Sequence, residues 1–204
     1  MEHRGLYDKK QMIRVQNILT FLGKSILIYL VLVLLGVFLN FRQGFVELVI
    51  NRGNSRPVVH NNITRVEYRK YNKGIYDLKL IVKYKTLGME SPVSCWYYGY
   101  LPFSLMLSLI LATKYPNWEK LVLAAISGIL LFYLFFAFFL NQMVVGFEVY
   151  AKQELNEPVG FLKNNLVVMI NTLISNHYWL FMVVPIVIWI MVSFKSIALK
   201  RTKV

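Results

Sequence analysis

Four stretches without a charged side chain dominate this chain of 204 residues: Ser25–Phe41, Tyr97–Thr113, Leu121–Leu140 and Tyr178–Phe194, each 17 to 20 residues long. A bilayer core about 30 Å thick takes roughly 20 apolar residues, each rising about 1.5 Å. Each run reaches or approaches that length once its flanks are added. A soluble core built from a chain of this size has no room for four helices that are apolar on every side. Composition agrees. Hydrophobic residues make up 57% and charged residues only 16%, against roughly 25% charged in soluble domains. Because 24 residues precede the first run and no small-x-small cleavage pattern follows it, an uncleaved anchor is expected there.

The formal charge is +13. In a soluble protein this would suggest nucleic acid, but here the basic residues flank membrane segments. There they meet anionic headgroups and fix orientation. Arg4, Lys9, Lys10, Arg14 and Lys24 lie before the first run, Lys114 and Lys120 between the second and third, and Lys195, Lys200, Arg201 and Lys203 at the end. Four crossings put these segments on one side, which the excess of Lys and Arg makes cytoplasmic. The segment 42–96 then lies outside despite its ten Lys and Arg residues. At that length, loop charge begins to lose its influence.

The expected fold is an all-α integral membrane protein with four transmembrane helices. A small extracytoplasmic β element lies between the first and second helices. Its parts are a basic tail 1–19, helices 20–41, 97–113, 121–140 and 178–194, the outer segment 42–96, a stretch 141–177 and a basic tail 195–204. The expected location is a bacterial inner membrane, with both termini cytoplasmic.

Within the outer segment, Val66 and Tyr68 alternate with Arg65, Glu67 and Arg69, and Leu78, Leu80, Val82 and Tyr84 alternate with Lys79, Ile81, Lys83 and Lys85. Period two implies strands with one apolar face. Asn72-Lys73-Gly74 supplies a hairpin turn. Phe45–Ile50 and Pro57–Val59 are candidate short strands. A lone hairpin is marginal in water, so its apolar face needs further strands, the membrane surface or a partner. Its cationic face is either solvated near lipid headgroups or a docking surface for an acidic partner. The residues expected to make partner contacts are Arg65, Arg69, Lys79, Lys83 and Tyr84 outside, with Trp96 and Tyr100 at the boundary. Trp96, Tyr97, Tyr98 and Tyr100 form an aromatic belt, and Thr113–Lys120 forms a tight turn anchored by Tyr115 and Trp118.

The third run is rich in Phe (Phe132, Phe135, Phe136, Phe138, Phe139) and its helix is expected to continue toward Leu155, with Glu148 and Lys152 paired and Asn156-Glu157-Pro158 as the break. Val159–Ser175 has helical apolar spacing with Asn164, Asn171 and Ser175 opposite. It reads as an interfacial helix, or as one that binds a partner. Pro185 is expected to kink the last span.

Chemistry is hard to find. No glycine-rich phosphate loop, G-x-S-x-G or H-E-x-x-H is present, and Cys95 is the one cysteine. That excludes an internal disulfide and any cysteine-based metal cluster, and no cofactor is implied. A thiol enzyme built on Cys95 with His60 or His177 as base, and Arg65 or Arg69 as oxyanion partner, lacks any spacing that organises it. A small transporter or channel component would have Asn141, Gln142 and Asn171 as its few polar lining residues.

Tyr100-Leu101-Pro102 leads into a short Leu-rich span that ends Leu111-Ala112-Thr113, followed by a Pro-containing turn, a basic residue and a further apolar helix to Leu140. This segment resembles the membrane proteins encoded beside exosortases, in particular the exosortase H-associated membrane proteins. The resemblance implies a non-enzymatic accessory subunit of a bacterial envelope protein-sorting system, partnered by another integral membrane protein. It brings no catalytic residues. Exosortases carry Cys, Arg and His within the membrane, whereas the four runs here hold neither Arg nor His.

Overall fold

A computed structural model describes residues 2–54, 63–161, 164–165, 167–169 and 180–198. It is mostly helical with one small antiparallel sheet. Helix α1 (Glu2–Phe38) is followed by α2 (Phe41–Asn54), then by strands β1 (Ile63–Lys73), β2 (Tyr76–Tyr84) and β3 (Leu87–Val93). A π-helical turn (Trp96–Tyr100) opens α3 (Leu101–Ala112), after which come α4 (Trp118–Glu154) and α5 (Leu180–Ala198).

Two helical stretches are long and apolar enough to cross a bilayer: Gln16–Phe38 in α1 and α4 itself. The apolar stretches Trp96–Ala112 and Phe181–Ser193 are shorter. Helix α1 ends at a turn where Asn40 takes φ +53°, so the chain leaves the helix before Phe41, the expected end of the first span. Helix α4 runs unbroken to Glu154, as its sequence suggested, with Lys152 Nζ 3.0 Å from Glu148 Oε1. Asn156 at φ +54° then ends the rod.

Helix α3 is the packing centre, in contact with α1, α4 and α5. Its Ser104, Met106, Ser108 and Ile110 are buried. The small Gly128 lets α4 approach, because a Cβ there would meet the Ile110 side chain. On α1, a Cβ at Gly36 would overlap the Tyr100 ring, whose hydroxyl donates to the Leu32 carbonyl at 2.7 Å. Aromatic rings join the upper part of the helices. Phe181 of α5 meets Phe139 at 4.8 Å and Tyr98 at 4.7 Å, and Phe45 of α2 meets Phe136 at 5.4 Å. Much of the Phe-rich face therefore packs within the chain, while Phe138 remains exposed. At the opposite end, Trp189 Nε1 donates to Thr113 Oγ1 at 2.8 Å, and Tyr115 and Ser193 share a hydrogen bond of 2.7 Å. Tyr115 thus ties the turn to α5, while Trp118 is exposed.

The sheet has order β1-β2-β3 with antiparallel neighbours. The hairpin expected around Gly74 is present, and Gly74 takes φ +63°. A third strand, not anticipated, completes it. Leu78, Leu80, Val82 and Tyr84 of β2 and Val93 of β3 are buried, packed in one apolar core with helix residues. The strand expected at Phe45–Ile50 is instead part of α2, whose Val46 and Val49 are buried. The candidate strand Pro57–Val59 lies outside the described residues. So does most of Val159–Ser175, of which 161, 164–165 and 167–169 are helical.

Candidate functional site

The strand register sorts the basic residues. Arg65 pairs with Lys83 and Arg69 with Lys79 across β1 and β2, while Glu67 faces Ile81, and Ile81 faces Glu90 of β3. Strand side chains alternate between faces, so Arg65, Arg69, Lys79 and Lys83 come together on the face turned away from the helices. Sequence alternation alone brought these four onto one surface. Their charge, however, is partly met within the sheet. Glu67 bridges Arg65 and Arg69, and Lys79 Nζ reaches Glu90 Oε2 at 2.7 Å. The Arg69 guanidinium that donates to Glu67, with Arg65 beside it, holds that carboxyl below its ordinary range. Lys79 also sits 4.8 Å from the centre of the Tyr71 ring. Among the described residues no carboxylate pairs with Lys83, which is exposed.

Three expected contact residues lie elsewhere. Tyr84 is on the opposite face and is 1% exposed. Its hydroxyl donates to Glu157 Oε2 at 2.9 Å, and Lys85 Nζ donates to Oε1 of the same carboxylate at 2.6 Å. Tyr84 is therefore a strap between the sheet and the segment after α4, not an outward contact. Tyr100 is buried and Trp96 half-buried. Their rings stack at 4.8 Å, and Phe41 continues the stack at 6.3 Å from Tyr100. This column closes the junction of α1, α2 and the π-helical turn.

Sequence reasoning missed the residue that holds that junction. Asp77 is 3% exposed. Its Oδ1 accepts the Cys95 amide at 2.7 Å, and its Oδ2 accepts the Trp96 amide at 3.3 Å and the Arg42 Nε–H at 3.0 Å. Amides at the start of a helix have no helical partner, and the positive end of the helix favours an anion. One carboxylate thus caps the turn leading into α3 and ties it to β2 and α2. The signal was present: an Asp in a strand-like, otherwise basic stretch is costly to bury unless paired.

Cys95 is 1% exposed. Burial first, and then the Asp77 carboxylate, push its thiol far above the ordinary range. A thiol nucleophile needs the opposite environment. His60 and His177 lie outside the described residues. Asn141 and Gln142 stand in sequence on α4, and Asn171 lies outside the described residues. Among the described residues no group of three or more His, Cys, Asp or Glu could hold a metal ion. Compared with known proteins, the chain matches no family model, no curated protein and no solved structure.

Proposed function

We propose that the chain is a multi-pass membrane protein that performs no reaction of its own and serves as an accessory or scaffold subunit for another integral membrane protein. The observation that carries this reading is how bare the two long helices are. In the most apolar windows of α1 and α4, only 6% and 22% of residues are buried. A soluble protein's core helix would be mostly covered; these two require lipid or a partner as solvent. In this reading α3 with its π-helical turn, and α5, complete four crossings of a bacterial inner membrane. Both tails and the 114–120 link are cytoplasmic and the sheet is outside. The likeness of Tyr97–Leu140 to exosortase-associated membrane proteins supports placing it in an envelope protein-sorting complex.

The sheet has a scaffold's design. Its apolar face packs on the helices, with Asp77 and Glu157 tying the sheet in place, and on its other face Arg65, Arg69 and Lys83 are exposed. Purification in mild detergent after cross-linking in cells, followed by identification of the linked protein, tests the proposal. One integral membrane partner is expected, and reversing the charge with Arg65→Glu and Lys83→Glu should weaken its capture. A clean monomer without a cross-linked companion would contradict the scaffold role.

A further inference from the structure

A cavity of about 890 Å³ lies between α1, α2, β1, α3 and α4. Sites for small molecules occupy roughly 300–1,000 Å³. Its α4 wall includes Ile129, Phe132, Phe136, Leu140 and Val144, spaced three and four apart and hence along one helix face. Fifteen residues separate the first from the last, about 22 Å at a rise of about 1.5 Å each. One leaflet of a hydrocarbon core about 30 Å thick is about 15 Å deep. The cavity is therefore long enough for one leaflet's acyl chain and the start of its headgroup.

Its two ends differ in chemistry. Leu32, Leu107 and Ile129 line the deep end with the Tyr100 and Tyr133 rings, without a charged group, whereas Arg52 lines the end next to Tyr68 of β1 and Asn141 lies further along α4. Arg52 sits in the last turn of α2 and is exposed. Among the described residues no carboxylate pairs with it. A guanidinium is well suited to a phosphate, which it can bind through two parallel hydrogen bonds. Phe41 and Leu48 of α2 and Ile129 of α4 are part of the lining yet exposed. The cavity therefore opens on their side, the side of the uncovered apolar helix surface.

We propose that this cavity holds one acyl chain of an anionic phospholipid, with the lipid phosphate drawn to Arg52. The site rests on the membrane reading above and is separate from the cationic sheet face. Gly44 offers a way to close it. It lines the cavity, and a Cβ added there meets no atom within 4 Å. A Phe at that position starts without a clash at its Cβ and puts its ring into the space the lipid needs.

The test is native mass spectrometry of the detergent-purified, delipidated chain titrated with phosphatidylglycerol and with phosphatidylcholine of the same chain length. One bound lipid is expected, with phosphatidylglycerol preferred. Arg52→Gln should cut the phosphatidylglycerol affinity about tenfold, the worth of one charge-assisted bond. Gly44→Phe should abolish binding of both lipids. Equal affinity for the two lipids in the unaltered chain, or undiminished binding in Gly44→Phe, would overturn the proposal. So would a photoreactive residue at position 44 that captures a protein helix in membranes instead of lipid. Extraction of the chain from membranes by alkali would instead overturn the membrane reading. A chain that resists alkali but binds no lipid overturns this site alone.

Discussion

Asp77 concentrates three attachments on one side chain. Replacing it with Ala leaves the Cys95 and Trp96 amides without their acceptor and frees Arg42. Stranding buried donors costs about 1–3 kcal/mol each. Asp77→Ala should therefore lower stability by about 3 kcal/mol in detergent thermal unfolding, with the longer Trp96 bond adding least. Asp77→Asn keeps one acceptor oxygen and should lose less. Cys95 beside it offers a chemical reading of the same junction. An exposed thiol titrates near 8.5, but burial holds this one protonated well above that. The folded chain should resist maleimide from pH 7 to pH 9 and react fully once unfolded in dodecyl sulfate. In Asp77→Ala, labelling of the folded chain should rise as the junction opens, read by mass shift.

At the scale of elements, the sheet and helices were legible in different degrees. β1 and β2 could be read because one face of a strand must be apolar, and the alternation over Arg65–Arg69 and Leu78–Lys85 makes that visible. β3 was harder. Leu87, Met89 and Val93 alternate, but Gly88 and Pro92 dilute the pattern. Pro92 is tolerated because β3 is an edge strand. The turn before it uses Lys85 at φ +49°, a conformation that Lys does not advertise. In α2, Phe45, Val46, Val49 and Ile50 form a helical stripe, yet six residues are too few to separate that period from a strand. The helix α4 was readable to its end because its apolar run passes directly into a Glu148–Lys152 pair and then a break. Asp77 and Glu157 were not read as site residues because their partners lie 18 to 35 and 72 to 73 positions away along the chain. The Glu157 strap gives an acid dependence. Lys85, and then the Tyr84 hydroxyl, lower the folded-state pKa of Glu157. Its contribution is complete above the unfolded value near 4.3 and is lost as pH falls through the lower folded value. Hydrogen exchange at residues 155–160 should therefore quicken, relative to the intrinsic rate, between pH 5 and pH 3. Glu157→Gln should show the faster exchange already at pH 6.

At the scale of the whole molecule, one feature orders the rest: long apolar helices that the described residues leave largely uncovered. About 200 residues would otherwise expose Leu27, Leu30, Leu34 and Phe38 along α1, and Leu123, Ile126 and Leu130 along α4, to water. A bilayer removes that conflict. In the proposed topology it also gives meaning to the sheet, which shows one apolar face to the helices and one cationic face away from them. Substituted-cysteine labelling in spheroplasts tests this most directly, in a Cys95→Ala background with Lys83→Cys on the sheet and Lys120→Cys before the apolar part of α4. Both positions are exposed. An impermeant maleimide should modify position 83 in intact spheroplasts and position 120 only after the membrane is opened. Labelling of position 120 alone from outside, or of both sites in a protein that alkali strips from the membrane, would contradict the account.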